Sequence, residues 1–160
     1  DQHPAMNAMC DQAVNTLRIV TVRKNDVAHV LATVLRIGSG RNNVDNFHSQ
    51  GMAAIIDERG VLIKPAIDKD NNIFTEHPVS GTTIVGFQIP NYKDALMLVK
   101  EASEVVPEMG YIGWDVAMTP NGPLLIEANN YPGYDVTQSA GLSDGTRTGD
   151  KKRYDAAIYG

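Results

Sequence analysis

Two carboxylates lie in a segment that otherwise has the pattern of buried β-sheet. Residues 110–133, GYIGWDVAMTPNGPLLIEANNYPG, contain two apolar runs separated by a cluster of turn-forming residues, which is typical of a β-hairpin. If Thr119 faces Pro123 across a three-residue loop, Asp115 lies directly opposite Glu127. The sequence therefore predicts that these two acids face each other on one side of a sheet.

The same register sorts the apolar side chains of the hairpin. Side chains alternate between the two faces of a strand, so Trp114 and its apolar neighbours point away from Asp115 and into the core. In the second strand, Leu124 and Ile126 are predicted on the core face and Leu125 on the face of the acids. The hairpin is thus expected to have one apolar face and one face that carries both carboxylates.

The opposed acids predict a compensating group, because like charges about 5 Å apart on neighbouring strands repel each other. That group is a shared proton, a basic neighbour or a bound cation. Asn129 follows Glu127 by two residues and adds an amide oxygen on the same face. Oxygen ligands of this kind suit Mg²⁺, which completes its coordination with water and phosphate. The alternative is a hydrated hairpin face with two solvated acids, and spacing alone leaves both interpretations open.

Two arginines also lie in strand-like segments. Arg18 is inside TLRIVTV, which is apolar on both faces, and Arg36 ends the run ATVLR. A buried guanidinium needs an anionic partner, either a carboxylate of the protein or an anionic ligand such as phosphate. Two such arginines beside a metal-binding acid pair favour the ligand. We therefore expect Arg18 to lie near Asp115 and Glu127 without an internal partner.

Length and composition limit the class of protein. The chain has 160 residues, of which 42% are hydrophobic, and this suits a single domain over 1–160. A net charge of −5 argues against a general nucleic-acid-binding surface. A single cysteine excludes an internal disulfide, and no apolar run approaches the length of a membrane span. We expect a cytoplasmic protein that has neither nucleic acid nor membrane as a partner.

The hydrophobic pattern predicts an α+β fold, a mainly antiparallel sheet with a helix packed on one face. The predicted elements are strands over 15–23 and 27–38, a helix over 91–106 and a short helix that begins within 131–141. Asn91 is the expected N-cap of the long helix. The tail over 141–160 is polar, and we expect it to be mobile.

The order of these segments resembles the C-terminal half of the ATP-grasp superfamily. The segments NTLRIVTV, VLRIG, VDNFHSQG and GYIGWDVAMTPNGPLLIEANNYPG resemble the sugar-transfer-associated branch, and the layout is similar to that of the ribosomal-protein glutamate ligases. The resemblance covers residues 3–138, the expected C-terminal lobe. It implies that Asp115 and Glu127 bind Mg²⁺, with Glu127 bridging two ions and Asn129 holding the second.

The resemblance also implies roles for the basic residues and for one loop. Arg18 and Arg36 would contact the γ-phosphate of ATP and the acyl-phosphate formed from it. Asn46 and His48 would lie in a loop that closes over the reacting groups and binds phosphate or substrate. Gln50 stands where the family usually has a glycine, so this loop departs from the family pattern.

ATP-grasp enzymes clamp ATP between two lobes, and the residues before position 15 do not match the preceding lobe. The resemblance therefore implies a fragment, the catalytic half of a longer Mg²⁺- and ATP-dependent carboxylate–amine ligase. Such an enzyme joins a small carboxylate substrate to an amine acceptor through an acyl-phosphate. The alternative is a non-catalytic binding module that holds an anionic ligand or a partner without turnover.

Overall fold

One antiparallel sheet organises the protein, as the α+β prediction requires. The computed structural model describes residues 1–40, 51–141 and 151–159, and in these ranges seven strands form a single sheet in the order β5-β4-β3-β2-β1-β6-β7. The elements are α1 (Pro4–Met9), β1 (Thr16–Lys24), β2 (Val27–Ile37), β3 (Met52–Ile55), β4 (Ala66–Asp68), β5 (Ile73–Phe74), α2 (Tyr92–Val105), β6 (Tyr111–Thr119), β7 (Gly122–Asn129), α3 (Asp135–Gly141) and α4 (Lys151–Tyr159).

Strand β1 lies at the centre of the site-bearing part of the sheet. It joins β2 through a two-residue turn, in which Asn25 and Asp26 both have positive φ, as the twist of a tight hairpin requires. On its other side β1 pairs with β6, which places Arg18 directly opposite Asp115. The strand order thus brings together residues that are far apart in the sequence.

One face of the sheet carries the main hydrophobic core. Helices α1 and α2 cover this face, and α2 buries Tyr92, Ala95 and Val99 against it. Trp114 belongs to this core, as predicted, and its indole Nε1 donates a hydrogen bond of 2.8 Å to Thr21 Oγ1. In the described part of the chain, no helix is both long enough and apolar enough to cross a membrane.

Helices α3 and α4 pack on the opposite face, which is the face of the acids. Two small apolar clusters attach them to the sheet. The first cluster joins Val136 and Ala140 of α3 to Val34 and Ala53, and the second joins Tyr154 of α4 to Val20, Leu31 and Ala32. Arg18 of β1, Arg36 of β2 and Asp115 of β6 share this second face with the two clusters.

Two local expectations about the helices need correction. Asn91 occupies the N-cap position of α2, as predicted, but makes no capping hydrogen bond through its side chain; its backbone is in the left-handed region, with φ of 50°, and its carbonyl accepts from Asp94 N. The tail expected to be mobile contains α4, whose Tyr154 is buried against the sheet. The apolar ring of one tyrosine was too weak a periodic signal to reveal this helix among charged neighbours.

The β6–β7 hairpin confirms the acid pair but not the predicted turn. The loop has two residues, so Thr119 pairs with Gly122, and a β-bulge at Ile126 restores the register so that Asp115 pairs with Glu127. The apolar residues of β7 therefore exchange faces relative to the prediction. Leu125 packs against the core, whereas Leu124 and Ile126 are more than half exposed.

Candidate functional site

Five of the predicted site residues line one cavity on the second face of the sheet. The cavity has a volume of about 340 Å³ and is lined by Arg18, Arg36, Asp115, Glu127 and Asn129. Three strands supply the two arginines and Asp115, and β7 supplies the other two side chains. The segment from Tyr131 to Val136, which leads from β7 into α3, forms the opposite wall.

Asp115 is the centre of the charge network in this cavity. Its side chain is 7% exposed, and both of its oxygens accept hydrogen bonds from guanidinium groups. Arg18 Nε donates to Oδ1 at 2.5 Å and Arg18 Nη2 to Oδ2 at 3.1 Å, while Arg36 Nη1 donates to Oδ2 at 2.8 Å. The sequence left open whether a shared proton, a basic neighbour or a bound cation offsets the charge of the opposed acids. For Asp115, the structure contains basic neighbours.

The expectation that Arg18 lacks an internal partner is wrong, because its partner is Asp115. Burial alone lowers the pKa of Arg18, but the hydrogen bond to Asp115 and the charges of Asp115 and Glu127 outweigh this effect and raise the pKa above its ordinary value. Hydrogen bonding to a charged form stabilises that form. The guanidinium is therefore held in its charged state at the cavity wall.

Glu127 and Asn129 provide the oxygen atoms that are more accessible to a cation. The side chain of Glu127 is exposed and, among the described residues, its carboxylate makes neither a hydrogen bond nor an ion pair, although its charge acts on Arg18. Within the described ranges, no group of three or more His, Cys, Asp or Glu residues is arranged to hold a metal ion alone. This donor set fits Mg²⁺, which takes few protein ligands and obtains the rest from water and phosphate oxygens.

A third carboxylate, Asp135, lines the cavity and was not among the residues predicted from the sequence. It occupies the first turn of α3, and its negative charge contributes to the raised pKa of Arg18. The feature of the sequence that could have indicated Asp135 is its position two residues after the Pro132-Gly133 pair, which follows β7. The described charges of the cavity are two arginines and three carboxylates, so one negative charge is in excess.

Gly113 allows the opposite wall to approach the sheet. A Cβ atom at this position would lie 2.4 Å from Pro132 Cβ and 3.4 Å from Arg18 Cδ, and the first of these distances is too short for any side chain. Because Gly113 pairs with Asn129 at the end of the hairpin, this close approach positions the Tyr131–Asp135 segment over the charged side chains.

Replacing Gly113 by alanine should therefore disturb the cavity wall. We expect Gly113→Ala to lower the free energy of unfolding by roughly 1–3 kcal/mol, the usual cost of overpacking, measured by urea denaturation. Gly110→Ala is the matched control, since a Cβ there meets no atom within 4 Å. Equal stability of the two variants would contradict a close contact between Gly113 and Pro132.

A chain of hydroxyl groups links α4 and α3 to the sheet beside the cavity. The hydroxyls of Tyr111 and Tyr154 are hydrogen-bonded, Tyr154 Oη donates to Thr137 Oγ1 at 3.0 Å, and Thr137 Oγ1 donates to the carbonyl of Tyr134 at 3.0 Å. Burial and the neighbouring Tyr154 raise the pKa of Tyr111 from 10.0 to about 12, although the charge of Arg18 opposes the change. The chain fixes the first turn of α3, which carries Asp135.

The raised pKa of Tyr111 predicts a loss of stability at high pH. The folded protein holds the proton of the Tyr111 hydroxyl more tightly than the unfolded chain does. The contribution of this proton to the free energy of unfolding is therefore complete below pH 10 and is lost as the pH rises through about 12. Between pH 10 and 12, we expect the free energy of unfolding of Tyr111→Phe to decrease less steeply with pH than that of the wild type, measured by urea denaturation at several pH values. Tyr159→Phe is the control, because Tyr159 is 83% exposed, and it should keep the wild-type slope.

Two predicted site residues cannot be compared with the structure. Asn46 and His48, expected in a loop that closes over the reacting groups, lie outside the described residues. Their proposed contact with phosphate or substrate remains a prediction from the resemblance.

Comparison with known proteins agrees with the order of segments and with the fold. No match is found among curated proteins or among solved structures. The family described as "Sugar-transfer associated ATP-grasp" matches residues 1–148, which include every described residue of the cavity. The chain belongs to the sugar-transfer associated ATP-grasp family.

Proposed function

We propose that this chain is the catalytic half of an Mg²⁺- and ATP-dependent carboxylate–amine ligase that works through an acyl-phosphate. Membership of the family supports a general ATP-grasp-type activity, ligase-like or kinase-like, with ATP as a ligand and generally with Mg²⁺. The observation that carries the more specific proposal is the meeting of Arg18, Arg36, Asp115, Glu127 and Asn129 at one cavity. A second lobe, outside these residues, would supply the adenine pocket.

In the proposed reaction, an oxygen of the substrate carboxylate attacks the γ-phosphorus of ATP, and the bond to the leaving ADP breaks. The amine nitrogen of the acceptor then attacks the acyl carbon, phosphate leaves with its electron pair, and the nitrogen loses a proton. Arg18 and Arg36 have the fixed geometry and permanent charge to orient phosphate oxygens and stabilise their charge. Positioning of this kind provides most of the catalysis in phosphoryl transfer.

Glu127, Asn129 and Asp115 are the residues we propose for holding the cation. Glu127 would help to hold both of the ions that the resemblance implies, and Asn129 would help to hold the second; the two side chains lie on one face of β7 beside the cavity, which supports this assignment. Mg²⁺, when bound, supplies charge neutralisation for the phosphate groups. Arg18 and Arg36 would orient the phosphate chain beside these ligands.

A second candidate function is a binding module that holds an anion without turnover. The observation in its favour is the internal ion pair between Arg18 and Asp115, because a purely structural network has the same appearance. The two candidates differ in whether ADP is released.

The decisive experiment is a screen for ADP release. The protein encoded by the longest natural coding sequence that contains this chain is incubated with ATP, Mg²⁺ and pairs of small carboxylates and amines. Hydroxylamine is added to trap the acyl-phosphate as a hydroxamate. We expect carboxylate-dependent ADP release and a hydroxamate with the correct carboxylate. ATP binding without ADP release for any pair would favour the binding module.

The chain of 160 residues alone should bind ATP·Mg²⁺ weakly. The described lining of the cavity is mainly charged and polar, which would suit phosphate groups, and it offers no enclosed apolar pocket for adenine. We expect calorimetry to give a Kd weaker than micromolar. Micromolar binding would contradict the assignment of the adenine pocket to another lobe.

A further inference from the structure

The described contacts of Asp115 leave little room for a new ligand. Its Oδ2 accepts two N–H groups, one from Arg18 and one from Arg36, and Oδ1 accepts a third from Arg18 Nε. A carboxylate has about four lone-pair sites, so most of its acceptor capacity is used. Asp115 is also 5% exposed, so water contributes little to its solvation.

A divalent cation alone is therefore poorly accommodated. To reach Asp115 it must approach two guanidinium groups, which carry the same sign of charge, at short range. Glu127 and Asn129 offer oxygens without this penalty, but two protein ligands hold Mg²⁺ weakly in the absence of phosphate. The cavity in this state disfavours a free cation.

An anion alone is disfavoured for the complementary reason. Both arginines already donate to Asp115, and the cavity presents the carboxylates of Asp115, Glu127 and Asp135. A phosphate would have to compete with Asp115 for the arginines and leave that carboxylate buried. Leaving a buried charge without compensation is costly.

We infer that Asp115 makes the cavity selective for a divalent cation and a phosphate group together, over either ion alone, through an exchange of partners. The phosphate takes Arg18 and Arg36, and the cation takes Asp115, so every buried charge keeps an opposite charge. This inference rests on the proposed function, since it assumes that phosphate and metal bind at this cavity. Because coupling between two ligands is reciprocal, each ion should strengthen the binding of the other by the same factor.

Calorimetry on the 160-residue chain tests the exchange without turnover. Inorganic phosphate is titrated with and without saturating Mg²⁺, and Mg²⁺ is titrated with and without phosphate, after correction for their weak complex in solution. We expect the Kd for phosphate to decrease about tenfold in the presence of Mg²⁺, within the usual range of coupling between sites. Equal phosphate affinity with and without Mg²⁺ would overturn the inference.

Two variants should each bind one of the two ions more tightly, whereas removal of a side chain that only binds an ion would weaken binding. Asp115→Asn releases the arginines, so phosphate without Mg²⁺ should bind about tenfold more tightly and Mg²⁺ should no longer improve it. Arg36→Met weakens the hold on Asp115, so Mg²⁺ without phosphate should bind more tightly by several-fold. Arg59→Met is the control, because Arg59 is 75% exposed and pairs with Asp57 in a surface turn; its affinities should equal those of the wild type.

The result remains decisive if Asp115→Asn does not fold. Arg36→Met keeps the contact between Arg18 and Asp115, and unchanged or weaker Mg²⁺ binding in this variant would reject the exchange. The test is also separate from the test of the ligase. ADP release in the longer protein without coupling of the ions would reject only the exchange, whereas coupling without ADP release would support the exchange and reject the ligase.

Discussion

Replacing Asp115 by asparagine is expected to lower the free energy of unfolding by about 3 kcal/mol or more. The change removes the carboxylate that Arg18 and Arg36 share, and the side chains of these arginines are only 13% and 14% exposed. Loss of one partner of a buried ion pair is strongly destabilising, because the remaining buried charge loses a hydrogen-bonded counter-charge and gains little from water. Urea denaturation of the two proteins gives the difference, provided that the slope of the transition is unchanged.

Arg18→Met should cost less than Asp115→Asn, because Asp115 keeps Arg36 and the methionine preserves most of the packing. Asp70→Asn is the surface control: Asp70 pairs with Lys69 but is 64% exposed, and we expect a change of about 0.5 kcal/mol or less. If Asp115→Asn were no more destabilising than Asp70→Asn, the charge network would contribute nothing to the fold.

Glu127→Gln is expected to reduce ADP release by the longer protein about a hundredfold or more. Metal-dependent stabilisation of transferring phosphate amounts to several kcal/mol, and each 1.36 kcal/mol is a factor of ten in rate. Stability should change by about 0.5 kcal/mol or less, because the side chain is exposed and its substitution leaves no buried group unsatisfied. The measurement is the rate of ADP release beside a denaturation curve.

Glu101→Gln provides the matched control for Glu127. Glu101 is an exposed acid on α2, which covers the other face of the sheet, so its loss should affect neither activity nor stability. Equal activity of the two variants would show that Glu127 has no role in the reaction. Loss of both activity and stability in Glu127→Gln would instead indicate a structural role.

The position of the acid pair could be predicted from the sequence, although the details of the hairpin could not. The predicted loop was one residue too long and the bulge at Ile126 was missed, and these two errors cancel at the pair of Asp115 and Glu127. They do not cancel nearer the turn, where Leu124 and Leu125 exchange faces. Bulges depend on tertiary packing, and alternation alone does not reveal them.

The partner of Arg18 could not be predicted, because it depends on the order of strands in the sheet. The sequence indicated that Arg18 needs an anion, but only the pairing of β1 with β6 makes that anion Asp115, which is 97 residues away. Local patterns contain no information about such a long-range neighbour. Asp135 was missed for the same reason, since the packing of α3 on the sheet brings it to the cavity.

Because of the bulge in β7, the pairing of Asp115 with Glu127 does not depend on the length of the turn. If the turn accepted one more residue and Ile126 returned to regular pairing, Thr119 would face Pro123, and Asp115 would still face Glu127. Deleting Ile126 would likewise leave that pair in register. The tip of this hairpin can therefore change its length by one residue, or shift between two registers, while the carboxylates keep their places. Related chains that differ in length here should retain the same opposed acids.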